Sequence, residues 1–80
     1  IAMHIYPNPV TNGILNVKLD DGINEQFDLS ILDMSGKLLL QKHYEQSNSL
    51  SLNLSSYPPA KYLIQIRSLY FRFSDKFIIR

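Results

Sequence analysis

Phe27-Asp28-Leu29-Ser30-Ile31-Leu32-Asp33-Met34-Ser35-Gly36-Lys37 is the stretch that decides the fold. Phe27, Leu29 and Ile31 alternate with Asp28 and Ser30. Successive side chains of a strand point to opposite faces, so this run has one apolar face and one polar face. A sharp break follows. Aspartate can cap its own turn through its carboxylate, and a glycine three residues on can take the left-handed conformation. Asp33-Met34-Ser35-Gly36 therefore predicts a hairpin joining a strand over residues 27–33 to a strand over residues 37–44.

Outward from this hairpin the same period repeats. Leu15, Val17 and Leu19 alternate with Asn16 and Lys18, and Leu50, Leu52 and Leu54 alternate with Ser51 and Asn53. Tyr62, Ile64 and Ile66 alternate with Leu63, Gln65 and Arg67. Phe71, Phe73, Phe77 and Ile79 share one parity, which Asp75 interrupts; a bulge is expected there to turn the carboxylate outward. With a short first strand over residues 3–6, the chain holds about seven strands. No window keeps apolar residues at helical spacing between caps. Turn signals recur roughly every eight to twelve residues, which suits a β-sandwich. Asn12-Gly13 and Asp20-Asp21-Gly22 read as tight turns, and Gln46-Ser47-Asn48 as a polar loop. Prolines cannot donate to a central ladder, so Ser55-Ser56-Tyr57-Pro58-Pro59-Ala60 reads as a crossover between sheets. The fold class is therefore all-β: an immunoglobulin-like antiparallel β-sandwich, with residues 1–80 as a single domain.

Composition sets bounds on this small domain. At this size roughly 60% of the unfolded chain's surface is buried, so stability is thin. No cysteine is present, so no disulfide or Cys-based zinc site reinforces it. The apolar fraction of 45% is spread along the chain and argues against disorder. A net charge of +1, with Lys and Arg scattered, excludes the basic stripe of a nucleic-acid binder. Arg72, Lys76 and Arg80 nevertheless make the last stretch locally basic. No apolar run approaches the ~18 residues a membrane span needs. The chain opens on Ile1 rather than Met, which suggests a piece excised from a longer protein.

Catalytic and ligand-binding patterns are sparse. His4 and His43 have no second ligand at metal spacing and read as surface residues on strands. No nucleophile, base and orienting group can be assembled, and three glycines make no phosphate-cradling loop. Asp20, Asp21, Asn24 and Glu25 could suggest a calcium loop, but their spacing matches no EF-hand. Asn53-Leu54-Ser55 fits a glycosylation sequon that falls within a predicted strand. Tyr57, Tyr62 and Tyr70 could form a sugar-stacking platform. The stronger reading of Tyr62 is a tyrosine corner, its hydroxyl bonded back to the crossover. No cofactor and no metal are expected. In Tyr6-Pro7-Asn8-Pro9 each proline holds the preceding residue extended, giving a stiff, polyproline-like lead-in that drops Tyr6 into the edge of the core.

Three motifs in fixed order carry a resemblance over nearly the whole chain. Tyr6-Pro7-Asn8-Pro9 stands first, Asp33-Met34-Ser35-Gly36-Lys37 in the middle, and Lys76-Phe77-Ile78-Ile79-Arg80 at the end. Between the last two, Leu50-Ser51-Leu52-Asn53-Leu54 matches a Leu-rich alternating strand. The set resembles the C-terminal sorting domains of the bacterial type IX (Por) secretion system, type A. One motif departs: Ala60 stands where the family has glycine before Tyr62, and it would be strained if that position needs positive φ.

The resemblance implies a non-catalytic label. Such domains follow a secreted cargo protein, pass through the periplasm, and are recognised by outer-membrane translocon and sortase components. They are commonly cleaved off, leaving the cargo at the cell surface or outside the cell. Lys76, Phe77, Ile78, Ile79 and Arg80 are then the expected recognition residues. Tyr6, Pro7, Asn8, Pro9, Asp33, Gly36, Lys37 and Tyr62 are the structural family residues. A terminal strand with free ladder groups could pair with a receptor strand, or with a second copy as an edge-strand homodimer. The competing reading is a fibronectin-III-like or carbohydrate-binding β-sandwich module of a secreted enzyme.

Overall fold

Every alternating run becomes a strand. The computed structural model describes residues 3–20 and 25–80. Within these, the strands are β1 (Met3–Tyr6), β2 (Ile14–Leu19), β3 (Phe27–Asp33), β4 (Leu38–Tyr44), β5 (Ser49–Asn53), β6 (Ala60–Arg67) and β7 (Arg72–Ile79). No helix occurs among the described residues. A three-stranded sheet in the order β1-β2-β5 faces a four-stranded sheet in the order β4-β3-β6-β7, and all strand pairs within the sheets are antiparallel. This is the expected immunoglobulin-like sandwich.

The inward parities supply the core. Leu15, Val17, Leu19 and Leu52 come from one sheet, with Leu54 just after β5; Phe27, Leu29, Ile31, Tyr62, Ile64, Ile66, Phe77 and Ile79 come from the other. Val10 joins them from outside the strands. Each fully buried aliphatic or Phe side chain contributes about 1.5–3 kcal/mol relative to exposure. No polar or charged side chain is buried among the described residues, so no desolvated charge opposes this term.

The predicted hairpin forms as read. The Asp33 carboxylate accepts from Ser35 N (2.9 Å), Ser35 Oγ (2.6 Å) and Lys37 N (3.0 Å), and Gly36 adopts φ +90°. These bonds, the Ser35 hydroxyl foremost, hold the Asp33 carboxyl below the usual carboxylate range. Gly13 turns the chain into β2 with φ +81°, and its carbonyl accepts from Leu54 N at 2.7 Å. A Cβ there would lie 3.0 Å from Ser55 Cβ.

The crossover also behaves as expected. Residues 54–59 carry the chain from β5 in one sheet to β6 in the other. Tyr62 is buried, stacks on Phe77 at 5.7 Å, and donates its hydroxyl to Pro58 O at 2.5 Å. Burial pushes the Tyr62 hydroxyl's pKa upward. Ala60 opens β6 opposite Ile79, and no described non-glycine residue has positive φ. Alanine is thus accommodated here without backbone strain.

Three expectations need correction. The ladder between β6 and β7 runs unbroken from Arg72 to Ile79, so Asp75 is not turned outward by a bulge. It keeps its inward parity yet stays exposed between the half-buried Phe73 and the buried Phe77 on the outer strand β7; its Oδ1 accepts from Lys76 N at 2.8 Å. The register shift falls instead between Ile31 and Leu32, against β4. Tyr6 is not part of the core edge but 49% exposed; Val10 is the lead-in residue that is fully buried. The path through Tyr6-Pro7-Asn8-Pro9 is bent rather than polyproline-like, with cis bonds at both prolines. Asp21, Gly22 and Asn24 lie outside the described residues, and with them the second tight turn and the calcium-loop reading.

Candidate functional site

The C-terminal half of β7 is where two of the three sequence motifs meet. Along this strand the odd residues Phe77 and Ile79 point into the core, whereas Lys76, Ile78 and Arg80 point to solvent. The five residues singled out from sequence therefore divide into two sets. Phe77 is held between β6 and the facing sheet by its stack on Tyr62. Lys76, Ile78 and Arg80 present a cation, an apolar side chain and a cation on one exposed face.

The ladder groups of this half-strand are not free. Val10 N donates to Ile78 O at 2.7 Å, and Arg80 N donates to Val10 O at 2.9 Å, forming a parallel bridge between Val10 and Ile79. The Asn8 side chain extends the bridge. Its Oδ1 accepts from Ile78 N at 3.0 Å and its Nδ2 donates to Lys76 O at 3.4 Å. One side-chain amide thus satisfies the donor and acceptor that a neighbouring strand would otherwise take. The lead-in motif straps the edge of the terminal strand, and the expectation of unpaired ladder groups fails there. On that outward edge the backbone of Arg72 and Ser74 remains.

Beside the strap a shallow depression of about 230 Å³ is bordered by Asn8, Lys61, Lys76, Phe77 and Ile78. Lys61 stands opposite Ile78 in register. The only ion pairs among the described residues are His4–Asp20, His43–Asp28 and His43–Glu45, so Lys61, Lys76 and Arg80 have no ion-pair partner among these residues, while the Lys37 charge acts on Asp33 without forming an ion pair.

Other candidates disperse. Tyr62 is buried, Tyr57 half-buried, and Tyr70 is 81% exposed on the β6–β7 loop, so the three form no common stacking platform. Both histidines are exposed. No group of three or more His, Cys, Asp or Glu side chains able to hold a metal occurs among the described residues. Asn53 ends β5, and its Oδ1 accepts from Ser55 N and Oγ at 3.1 and 2.7 Å, so the sequon asparagine is engaged in its own turn. The strap was missed from sequence because it joins residues some 70 positions apart through a side chain. The signal for it was the polar Asn8 between two prolines that donate no amide of their own.

Comparison with known families agrees with this geometry. The family described as the secretion system C-terminal sorting domain matches residues 4–80, essentially the whole chain. The chain belongs to that family. No curated protein matches it. The sorting-domain match spans the Asn8 strap and the terminal strand alike, so both lie within the family unit. A domain of this family is the C-terminal sorting signal for type IX secretion, which implies an upstream cargo, contact with the secretion machinery, and export to the cell surface or the extracellular space. The family is a signal rather than a catalyst.

Proposed function

We propose that the sorting domain is read chiefly through Lys76, Ile78 and Arg80, and that Phe77 and Ile79 hold these three in place from the core side. The observation that carries this reading is the division of the terminal strand: two side chains are committed to packing, and three face water with no side-chain hydrogen bond or ion pair among the described residues. Outer-membrane translocon components recognise the face after the cargo has crossed the periplasm. A sortase-like peptidase then separates cargo from label. The domain serves as ligand and substrate, not as catalyst. The strap turns any edge-to-edge pairing of two copies away from the terminal half of β7 and toward the other edge strands, β1, β4 and β5.

The test is an export assay. Residues 1–80 are placed behind a periplasm-targeted reporter in a type IX-competent strain and in one lacking the outer-membrane pore. The wild-type domain delivers reporter outside only the competent strain. Replacing Lys76, Ile78 and Arg80 together by Ala should leave the reporter in the periplasm while the purified domain still melts cooperatively. Unchanged export by the triple variant would refute the reading.

A further inference from the structure

The outward face of the four-stranded sheet is graded along its strands. Across β4, β3, β6 and β7 in register, one row is His43, Asp28, Arg67 and Arg72. The next is Gln41, Ser30, Gln65 and Ser74. The third is Leu38, Leu32, Leu63 and Lys76, with Ile78 and Lys61 just beyond it. Leu38 is 50% and Ile78 38% exposed, and Leu32 and Leu63 are half-buried. Leu63 lies between the buried Tyr62 and Ile64, so its alternation sends it outward. The polar middle row shows that the sheet does not need leucines on this side.

The side chains that point outward at this end carry positive charge. Lys61 and Lys76 flank the apolar strip on the face, and Lys37 and Arg80 stand at its margin, all without ion-pair partners among the described residues. Among the side chains whose parity points to this face the carboxylate is Asp28, four residues from Leu32 along β3, about 13 Å at the rise of a strand; Asp75, beside Lys76 on β7, has the opposite parity. Asp33, at the hairpin end, has one carboxylate oxygen taken up by three hydrogen bonds from its own turn.

We infer that this face is a docking surface for a protein of the secretion machinery whose contact carries an apolar patch ringed by Asp and Glu side chains. The inference rests on the proposed reading of Lys76, Ile78 and Arg80, and extends the recognised surface from one strand to four. An apolar centre with a charged rim is the anatomy of a protein interface, and the cations would set orientation and speed encounter. A second copy does not fit, because facing two such surfaces would bring like charges together. A lipid surface fits less well. Leu32 and Leu63 are half-buried in the middle of the strip, whereas an interfacial anchor buries a projecting apolar surface in the lipid.

The export assay separates this inference from the one it rests on. Lys61→Glu and Leu38→Thr lie off the terminal strand. Each should lower export about tenfold or more by charge reversal or loss of apolar contact, with the melting temperature preserved. Lys61→Arg should export normally, as should Lys42→Glu, a charge reversal off this face. If the Lys76, Ile78, Arg80 triple variant fails but Lys61→Glu and Leu38→Thr export normally, the four-strand surface is overturned and the terminal-strand reading stands. If all export normally, both fall. Sedimentation with phosphatidylglycerol vesicles supplies the lipid arm: vesicle binding by the wild-type domain that Lys61→Glu abolishes would overturn the protein-partner assignment.

Discussion

Gly13 and Gly36 show how two residues with the same backbone requirement respond differently to the same change. Both have positive φ, which disfavours any side chain by about 1–2 kcal/mol. At Gly36 an added Cβ meets nothing within 4 Å, so Gly36→Ala should cost only that conformational term. At Gly13 it would also meet Ser55 Cβ at 3.0 Å, so Gly13→Ala should be the more destabilising of the two. Denaturant midpoints of the two variants check the order. His43 offers a pH probe on the outward face. Its Nδ1 lies 2.8 Å from Asp28 Oδ1, and this hydrogen bond, helped by the Asp28 and Glu45 charges, raises its pKa above the ordinary 6.5. A raised folded-state value stabilises the fold fully below about pH 6.5, and this contribution is lost as pH rises through the folded value. NMR titration of the ring should show the upward displacement in the wild type and its loss in Asp28→Asn. The His43 side chain is too exposed for a large effect on melting.

At the scale of elements, the strap is the feature on which the terminal strand's order depends. Asn8→Ala removes the acceptor for Ile78 N and the donor to Lys76 O, leaving the Val10 pairing in place. A net hydrogen bond is worth about 1 kcal/mol, so the Ile78 amide should exchange roughly fivefold faster in the variant. The Phe77 amide faces β6 and should change little. Amide exchange by NMR distinguishes this local opening from global loss, which would accelerate both. Much at this scale was legible. The β3–β4 hairpin followed from Asp33 and Gly36, the crossover from Pro58 and Pro59, and the tyrosine corner from its place after them. What periodicity could not supply was the partner of a segment without periodicity. Tyr6-Pro7-Asn8-Pro9 has no alternation, so neither the exposure of Tyr6 nor the docking of Asn8 could be read from it. Asp75 misled for the opposite reason: its parity was right, but a carboxylate at an inward position of an outer strand stays exposed without a bulge.

For the whole molecule, the margin is narrow. A domain of this length is stable by roughly 4–12 kcal/mol. Replacing the fully buried Ile64 by Ala should remove about 2–5 kcal/mol of that. Chemical denaturation should therefore place Ile64→Ala near its unfolding threshold, and its export should fail at 37 °C while recovering at lower growth temperature. The proposed docking face is made from side chains of four strands, so it exists only in the folded state. That is why the sequence displayed its members yet not their assembly: Leu38, Leu32 and Leu63 become neighbours only through register. The parallel bridge between Val10 and Ile79 has a mechanical consequence. Cargo lies on the amino-terminal side, and the proposed reading has a receptor grip the last strand. Tension then pulls the strap and β7 in opposite directions along their own axes. Hydrogen bonds between parallel segments loaded this way are sheared together instead of peeling apart in sequence. Under that reading the Val10–Ile79 bridge lies in the path of the load between label and cargo.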